Sequence, residues 1–144
     1  MAASEATIGL GTKFSYQTDD GPPAVYTEIG EAVSIQPPQP VRETVDVTHL
    51  ASPNGTREFR GTLRDPGEAE VTFNFTDAAY AIASTLFMAD GVTIFRVEYP
   101  DGGTEDFEGI VTGKPSEAIE VDSVRRFSLP IKVTGLPTYT PGPN

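Results

Sequence analysis

The clearest pattern in the chain is a strict alternation of apolar and polar residues over Glu68 to Phe75. Its odd-numbered positions, from Ala69 onward, are apolar, and its even-numbered positions are polar or acidic. A period of two predicts a β-strand with one buried face and one face in water. Similar patterns predict strands over 13–18, 24–35, 92–99, 104–112 and 126–134, and a short strand over 118–121.

Glycine and proline qualify these predicted strands. Gly30 interrupts the segment 24–35 and indicates a bulge or bend there. Pro130 lies on the polar face of the last long strand, and because proline cannot donate a ladder hydrogen bond, it predicts an edge position or a bulge. Residues 136–144 are proline-rich and are predicted to be an extended tail, while residues 1–11 are predicted to be a mobile arm.

Residues 77–89 carry the one convincing helical pattern. Thr76 or Asp77 can cap its start, and Asp90-Gly91 can end it. The positions predicted to pack this helix against the sheet are Tyr80, Ile82, Leu86 and Phe87. The predicted fold is a single all-β (β-rich α+β) domain over 1–144, a β-sandwich or partly closed barrel of about seven strands with one flanking α-helix.

The segment 41–67 has no sustained period through its middle and contains two turn signals, Asn54-Gly55 and Pro66-Gly67. Loops of this length inside compact domains are usually functional or disordered. The segment holds four arginines and four acidic residues and is neutral, so the rest of the chain carries the whole net charge, 6 − 17 = −11. A neutral arm with arginines can dock on the acidic body of another copy, or it can be a solvated loop; the residues alone leave both open.

Composition excludes several classes of protein. The chain has no cysteine, so a disulfide scaffold and a thiolate zinc site are excluded, and a reducing compartment fits. No secretory signal and no apolar run long enough to cross a bilayer is visible, which predicts a soluble protein. A net charge of −11 and a pI near 4.3 disfavour stable binding to nucleic acid or to an anionic membrane.

Residues with catalytic potential are few. His49 is the only histidine, and no Gly-x-Ser-x-Gly motif accompanies it, so no enzyme, metal site or cofactor is predicted. Carboxylates at i and i+2, Glu68/Glu70 and Asp106/Glu108, have a spacing that glycosidases use, but acidic strand faces are more commonly solvated surface. Residues 101–108 could offer oxygen ligands to calcium, but they lack the spacing of an EF-hand loop.

Several stretches between Tyr26 and Phe75 together resemble a known family. They are Thr27-Glu28-Ile29-Gly30-Glu31, Thr44-Val45-Asp46-Val47-Thr48, the residues Arg60, Gly61, Leu63, Asp65, Gly67 and Glu68, and Val71-Thr72-Phe73-Asn74-Phe75. The pattern resembles the major tail tube proteins of long, non-contractile-tailed, lambda-like bacteriophages over roughly residues 8–135. After Thr134 only the short proline-rich tail follows, so the additional immunoglobulin-like domain of some members is not expected.

The resemblance implies a structural virion protein, made in the host bacterial cytoplasm, whose hexameric rings stack into a hollow tube that conducts DNA. Its implied partners are itself, the tape measure, tail tip and tail terminator proteins, and double-stranded DNA in transit; no membrane is involved. It implies that the long loop 41–67 contacts the adjacent ring and is mobile in the free subunit. The predicted contact residues of that loop are Asp46, Thr48, His49, Leu50, Asn54, Arg57, Phe59, Arg60 and Arg64. Glu68, Glu70, Asp106 and Glu108 are candidates for the lumen or the ring surface, and the sequence leaves that choice open.

A non-catalytic carbohydrate- or protein-binding β-sandwich module is the alternative function. Sugar binding by such a module requires exposed aromatic side chains. The chain has no tryptophan, and only Tyr26, Tyr99 and Tyr139 are candidates.

Overall fold

The computed structural model describes residues 9–143, so most of the predicted arm 1–11, and Asn144 of the tail, lie outside the described residues. It contains nine β-strands and one α-helix within that range. The strands are β1 Lys13–Asp19, β2 Val25–Glu28, β3 Ala32–Gln36, β4 Val41–Asp46, β5 Phe59–Asp65, β6 Glu68–Asn74, β7 Thr93–Glu98, β8 Thr104–Val111 and β9 Arg126–Thr140; the helix, α1, is Asp77–Met88.

Seven strands form one antiparallel sheet in the order β2-β1-β7-β8-β9-β6-β3. The sheet curls strongly enough for β1 to contact β3, but it does not close into a barrel. The predicted class, a β-rich fold with a partly closed sheet and one flanking helix, is confirmed. β4 and β5 pair only with each other and form a separate two-stranded ribbon.

The core lies inside the curled sheet and is rich in phenylalanine. Phe14 stacks on Phe95 at 5.5 Å between ring centroids, and Phe95 stacks on Phe107 at 5.7 Å. Phe73 and Phe127 form a second stacked pair at 5.4 Å. All five rings are buried, and the apolar positions predicted on β6 and β9 point into the same core. Burial of these rings contributes strongly to stability, since large apolar side chains gain most from leaving water.

The helix packs against the sheet through small residues. Ala79, Ala83 and Leu86 are buried, and Gly30, at a φ of 105°, makes room for Ala79, whose Cβ would lie 2.9 Å from a Cβ at position 30. Gly30 therefore bends the predicted strand 24–35 into β2 and β3, as its position suggested. Tyr80 and Ile82 pack partly against the core, but Phe87 is 40% exposed. Its predicted packing is wrong, because Phe87 lies about 80° around the helix from Ala79 and about 100° from Leu86, at the margin of the buried face.

The C-terminal part of the chain differs from its prediction. β9 continues to Thr140, where it pairs with Thr104 of β8, so residues 136–140 are part of the sheet and not a free tail. The strand predicted over 118–121 is absent; these residues are exposed, and only Ser116 nearby forms an isolated bridge, with Phe127. With no buried face, the apolar residues of this stretch do not define a strand.

Pro130 lies in the central strand β9 and not at an edge. It pairs with Glu70 of β6, and its carbonyl accepts from the N–H of Thr112 at 3.0 Å. The backbone N and O of one strand residue point toward the same neighbouring strand. The nitrogen of Pro130 therefore points toward β8, at the position where β8 has just ended, at Val111. The missing donor therefore interrupts no regular ladder, which is why a proline is tolerated in the middle of the sheet.

Candidate assembly surface

The segment that carried the strongest functional prediction folds into a two-stranded β-ribbon. We call residues 41–65 the ribbon: β4, a tip over 47–58, and β5. Every residue of both strands is exposed, so neither face of the ribbon packs on its own subunit. The segment 41–67 was predicted as a long loop; most of it instead forms two paired strands, and the tip over 47–58 connects them. A bulge sets Thr62 and Leu63 against the single residue Glu43, and this disrupts the alternation that reveals a strand in sequence.

The tip begins with a network around Asp46. Asp46 accepts from the backbone N–H of Thr48 at 2.9 Å and pairs with Arg57 at 3.1 Å. Hydrogen bonds from the side chain and backbone of Thr48, and from Arg57, lower the pKa of Asp46. The Thr48 hydroxyl in turn accepts from the backbone N–H of Glu58 at 2.8 Å. Asp46, Thr48 and Arg57, which were predicted as contact residues, therefore stabilise the base of the tip.

A second network closes the tip around His49. The Ser52 hydroxyl donates to the Glu58 carboxylate at 2.6 Å, and His49 Nε2 lies 3.3 Å from the same carboxylate. The backbone N–H of Ala51 donates to His49 Nδ1 at 3.2 Å. Asn54 takes a left-handed conformation with a φ of 56°, which asparagine tolerates in turns. His49 thus has a local structural role, and Leu50 projects fully into solvent beside it.

The arginines of the ribbon divide into paired and unpaired groups. Arg57 is paired with Asp46, whereas Arg42 and Arg64 lie directly opposite each other across the two strands. Among residues 9–143, neither of these two forms an ion pair, and neither does Arg60. Like charges directly opposite one another destabilise a strand pair. A Cβ at Gly61 would collide with the Arg42 guanidinium, so glycine allows that group to lie across the ribbon.

The ribbon also exposes apolar side chains. Leu63 is 83% and Phe59 is 58% exposed in the free subunit. Val41, Val45 and Val47 are exposed as well. A surface that combines exposed apolar groups with unpaired arginines is typical of a protein interface, where arginine and aromatic residues are enriched.

The four predicted surface acids all lie on the outer face of the sheet, opposite the core. Asp106 is neutralised by Arg96, which makes two hydrogen bonds to it, of 2.7 and 3.0 Å. Glu68 lies 3.9 Å from Lys132, while Glu70 and Glu108 have no ion pair among the residues that the structure describes. β9 separates Glu68 and Glu70 on β6 from the other two on β8, so the acids form two groups.

The three tyrosines that were candidates for sugar binding contact other side chains of the same chain. Tyr26 is half-buried and covers the Arg96 guanidinium at 3.8 Å from its ring centroid. Tyr99 donates to Glu105 at 2.9 Å, and burial together with this carboxylate raises its pKa to about 12. Tyr139 is exposed but leans on Tyr99, with ring centroids 6.4 Å apart. These rings form no open platform for stacking a sugar.

The described residues contain neither a metal-binding cluster nor a membrane-spanning helix. No three His, Asp or Glu side chains come together as a metal site within residues 9–143. In the same range no helix has the length and apolar character that crossing a membrane requires.

The described fold is a curled antiparallel sheet with a protruding ribbon whose two faces are both exposed, the arrangement of a structural protein with a surface free for contacts. The chain belongs to the family of the lambda phage tail tube protein, whose family model matches residues 10–140. Its role is structural, as a tail tube component of the virion tail.

Solved structures agree with this family. The chain is similar to a subunit from the tail of an empty gene transfer agent particle with C6 symmetry, with 25% identity, a TM-score of 0.72, and coverage of 94% of this chain and 99% of that one. A chain from the native gene transfer agent virion gives 24% identity, a TM-score of 0.69 and the same coverage. A chain from the baseplate of the anti-feeding prophage shares the fold, with a TM-score of 0.69, 6% identity, and coverage of 99% and 100%. No curated protein matches the sequence.

Sequence reasoning missed two features of this surface. Arg42 was not among the predicted contact residues, although it faces Arg64; only the register of the ribbon reveals that they are opposite. The exposure of the segment 117–124 was missed as well. Its signal in the sequence was three acids interleaved with Ile119, Val121 and Val124, with no basic residue.

Proposed function

We propose that this chain forms hexameric rings that stack head-to-tail into the tail tube, and that the ribbon makes the contact between adjacent rings. The observation that carries this proposal is the exposure of both faces of the ribbon. An isolated two-stranded hairpin is only marginally stable in water, and it becomes stable when a face is buried against further structure. Since the ribbon buries neither face on its own subunit, another subunit is the natural site of that burial.

The proposed ring size comes from a relative. The gene transfer agent tail, whose subunit is 25% identical over nearly the full chain, has C6 symmetry. A ring closes when subunits related by a rotation pair their exposed sheet edges with one another. A stacking contact that does not close on itself produces an open filament. The edge strands β2 and β3 are available for contacts within a ring, and the ribbon is available for contacts between rings.

The charge of the proposed tube suits the passage of DNA. Six copies carry a formal charge of 6 × −11 = −66. Carboxylates such as Glu70 and Glu108 on the outer sheet face would repel phosphates, and at physiological salt this repulsion acts within about 8 Å. We propose that duplex DNA passes without being held, that the tube ends meet the tape measure, tail tip and terminator proteins, and that the subunit performs no catalysis.

Excision of the ribbon tests this function. Gln39 and Gly67 meet at the base of the ribbon, where a Cβ at position 67 would lie 2.7 Å from the Gln39 carbonyl oxygen. Replacing 41–65 by a short Gly-Ser link should therefore leave the seven-stranded body folded. We expect the excised protein to show the same cooperative thermal unfolding as a monomer and to form no tubes by electron microscopy.

A shorter excision provides the matched control for the tip. Val47 and Glu58 are joined by a backbone hydrogen bond of 2.9 Å, so a two-residue Asn-Gly turn can replace 48–57 and keep the ladder of β4 and β5. Tubes of normal length from the fully excised protein would overturn the proposal. Tubes from the short excision alone would assign the contact to the strands and not to the tip.

A further inference from the structure

A second exposed segment lies at the end of the subunit opposite the ribbon. The ribbon is inserted between β3 and β6, at the end of the sheet where β6 begins with Glu68. β6 ends at Asn74, which pairs with Arg126 at the start of β9. The residues just before Arg126 therefore lie at the far end of this strand pair, beside the start of α1. The backbone N–H of Glu117 donates to the Arg126 carbonyl at 3.0 Å, which fixes the segment there.

We call residues 117–124 the acidic loop. It contains Glu117, Glu120 and Asp122 and no basic residue, so its formal charge is −3. The next residue, Arg125, stacks its guanidinium on the Phe75 ring at 3.7 Å from the centroid and forms no ion pair with these acids. Among the residues described by the structure, none of these three acids forms an ion pair. Three apolar side chains alternate with them and are also exposed: Ile119, Val121, which is completely exposed, and Val124.

The ribbon and the acidic loop are complementary in two respects. The ribbon has unpaired arginines with exposed apolar side chains, and the acidic loop has unpaired carboxylates with exposed apolar side chains. Arginine paired with carboxylate is the most effective charged contact at a protein interface, because its planar donors match both oxygens. The two surfaces lie at opposite ends of one subunit, so they cannot satisfy each other within it.

We propose that the acidic loop of one copy binds the ribbon of a second copy of this chain. Arg42 and Arg64 of that ribbon then pair with the carboxylates of the loop. Arg42 and Arg64 repel each other in the free subunit. In the assembly, both arginines pair with carboxylates of the neighbouring copy, and this contact offsets the repulsion. This proposal rests on the proposed stacking of rings and adds the surface that receives the ribbon. A contact of this kind is heterologous and does not close, which is the requirement for a filament.

Charge reversal tests the pairing. Arg64→Glu places a carboxylate against the acidic loop, and we expect it to raise the protein concentration needed for tube formation about tenfold or more. Lys13→Glu changes the net charge equally on an exposed body residue. It places a second acid opposite Glu98, so its thermal unfolding is checked first, and the folded variant should assemble at a concentration close to wild type. Reversing Glu117, Glu120 and Asp122 to arginine in the Arg64→Glu protein should restore assembly. Unchanged assembly by Arg64→Glu, or failure of the rescue in a protein that unfolds as cooperatively as wild type, would overturn the pairing.

Crosslinking tests the same contact between ribbon and acidic loop without reversing any charge. The chain has no cysteine, so Leu63→Cys with Val121→Cys introduces the only two thiols and keeps Arg42 and Arg64. A short bismaleimide reagent added to tubes should link ribbon to loop repeatedly and give a ladder well beyond dimers. Each single-cysteine variant should stop at monomer or dimer. Tubes without a ladder would refute the assignment of the loop while leaving ring stacking intact, whereas absence of wild-type tubes would refute the stacking itself.

Discussion

At the scale of single residues, Thr76 sets where the helix begins. Its hydroxyl accepts from the N–H of Ala79 at 3.2 Å, so one of the free donors of the first turn is satisfied. Thr76→Ala should lower the free energy of unfolding by about 1 kcal/mol. Denaturant unfolding of the monomer measures this, with Thr76→Ser, which keeps the hydroxyl, as the control that should remain near wild type. Equal stability of the alanine variant and wild type would contradict the capping role.

Tyr99 gives a pH dependence whose sign follows from its environment. Its pKa is raised to about 12, first by burial and then by the Glu105 carboxylate, which accepts a hydrogen bond from its hydroxyl. A raised tyrosine pKa means that the neutral form is favoured in the folded protein, so its stabilisation is present below pH 10 and is lost as the pH rises through 12. The tyrosinate absorbance of wild type minus that of Tyr99→Phe should titrate near pH 12. A difference titration near pH 10 would show that the ring is solvated.

At the scale of elements, the ribbon and β6 are adjacent in sequence but differ in burial. All thirteen residues of β4 and β5 are exposed, whereas alternate residues of β6 are buried in the core. Exposed ladders open more readily than buried ones, because little apolar contact is lost on opening. The tip networks around Asp46 and Glu58 order the ribbon locally without anchoring it to the body.

This contrast predicts a change in hydrogen exchange on assembly. In the free subunit the amides of the ribbon should exchange much faster than those of β6, and in tubes the ribbon amides should become protected while those of β6 change little. Mass spectrometry of both states measures this, and β6 is the internal control. Ribbon amides that are already as slow as β6 amides in the monomer would mean that the ribbon is stabilised within its own subunit.

At the scale of the whole molecule, charge is distributed unevenly. Residues 41–67 are neutral, and the body carries the entire charge of −11. A strongly acidic assembly repels nucleic acid, and binding to DNA requires the opposite arrangement, cations against phosphates. The same distribution suits the proposed assembly, because a neutral ribbon can approach the acidic body of another copy without adding to the charge repulsion.

The negative charge of the body predicts that the tubes do not bind duplex DNA. Linear duplex DNA should not cosediment with wild-type tubes at physiological salt, because each ring would present a large negative potential. Tubes of a variant with Glu70→Lys and Glu108→Lys, on the outer sheet face, serve as the comparison. Retention of DNA by wild-type tubes would contradict passage without binding; retention only by the variant would place these two residues where DNA can reach them.

The sequence determined the features that local periodicity encodes. Residues that alternate between core and water, such as Val71 and Phe73 on β6, repeat with a period of two, and the helix has its own cap and stop signals. The tail tube family was also within reach, because its motifs lie in contiguous stretches. Each of these depends on residues near one another in the chain, so a pattern of a few positions carries the information.

Tertiary structure decided what depends on residues far apart. The central position of β9, with Pro130 tolerated where β8 ends, follows from the order of strands and not from local pattern. The ribbon was hidden because neither of its faces is buried, so no hydrophobic period marks its strands. That Arg42 faces Arg64, and that the acidic loop lies at the opposite end of the subunit, depends on register and connectivity, which only the folded chain fixes.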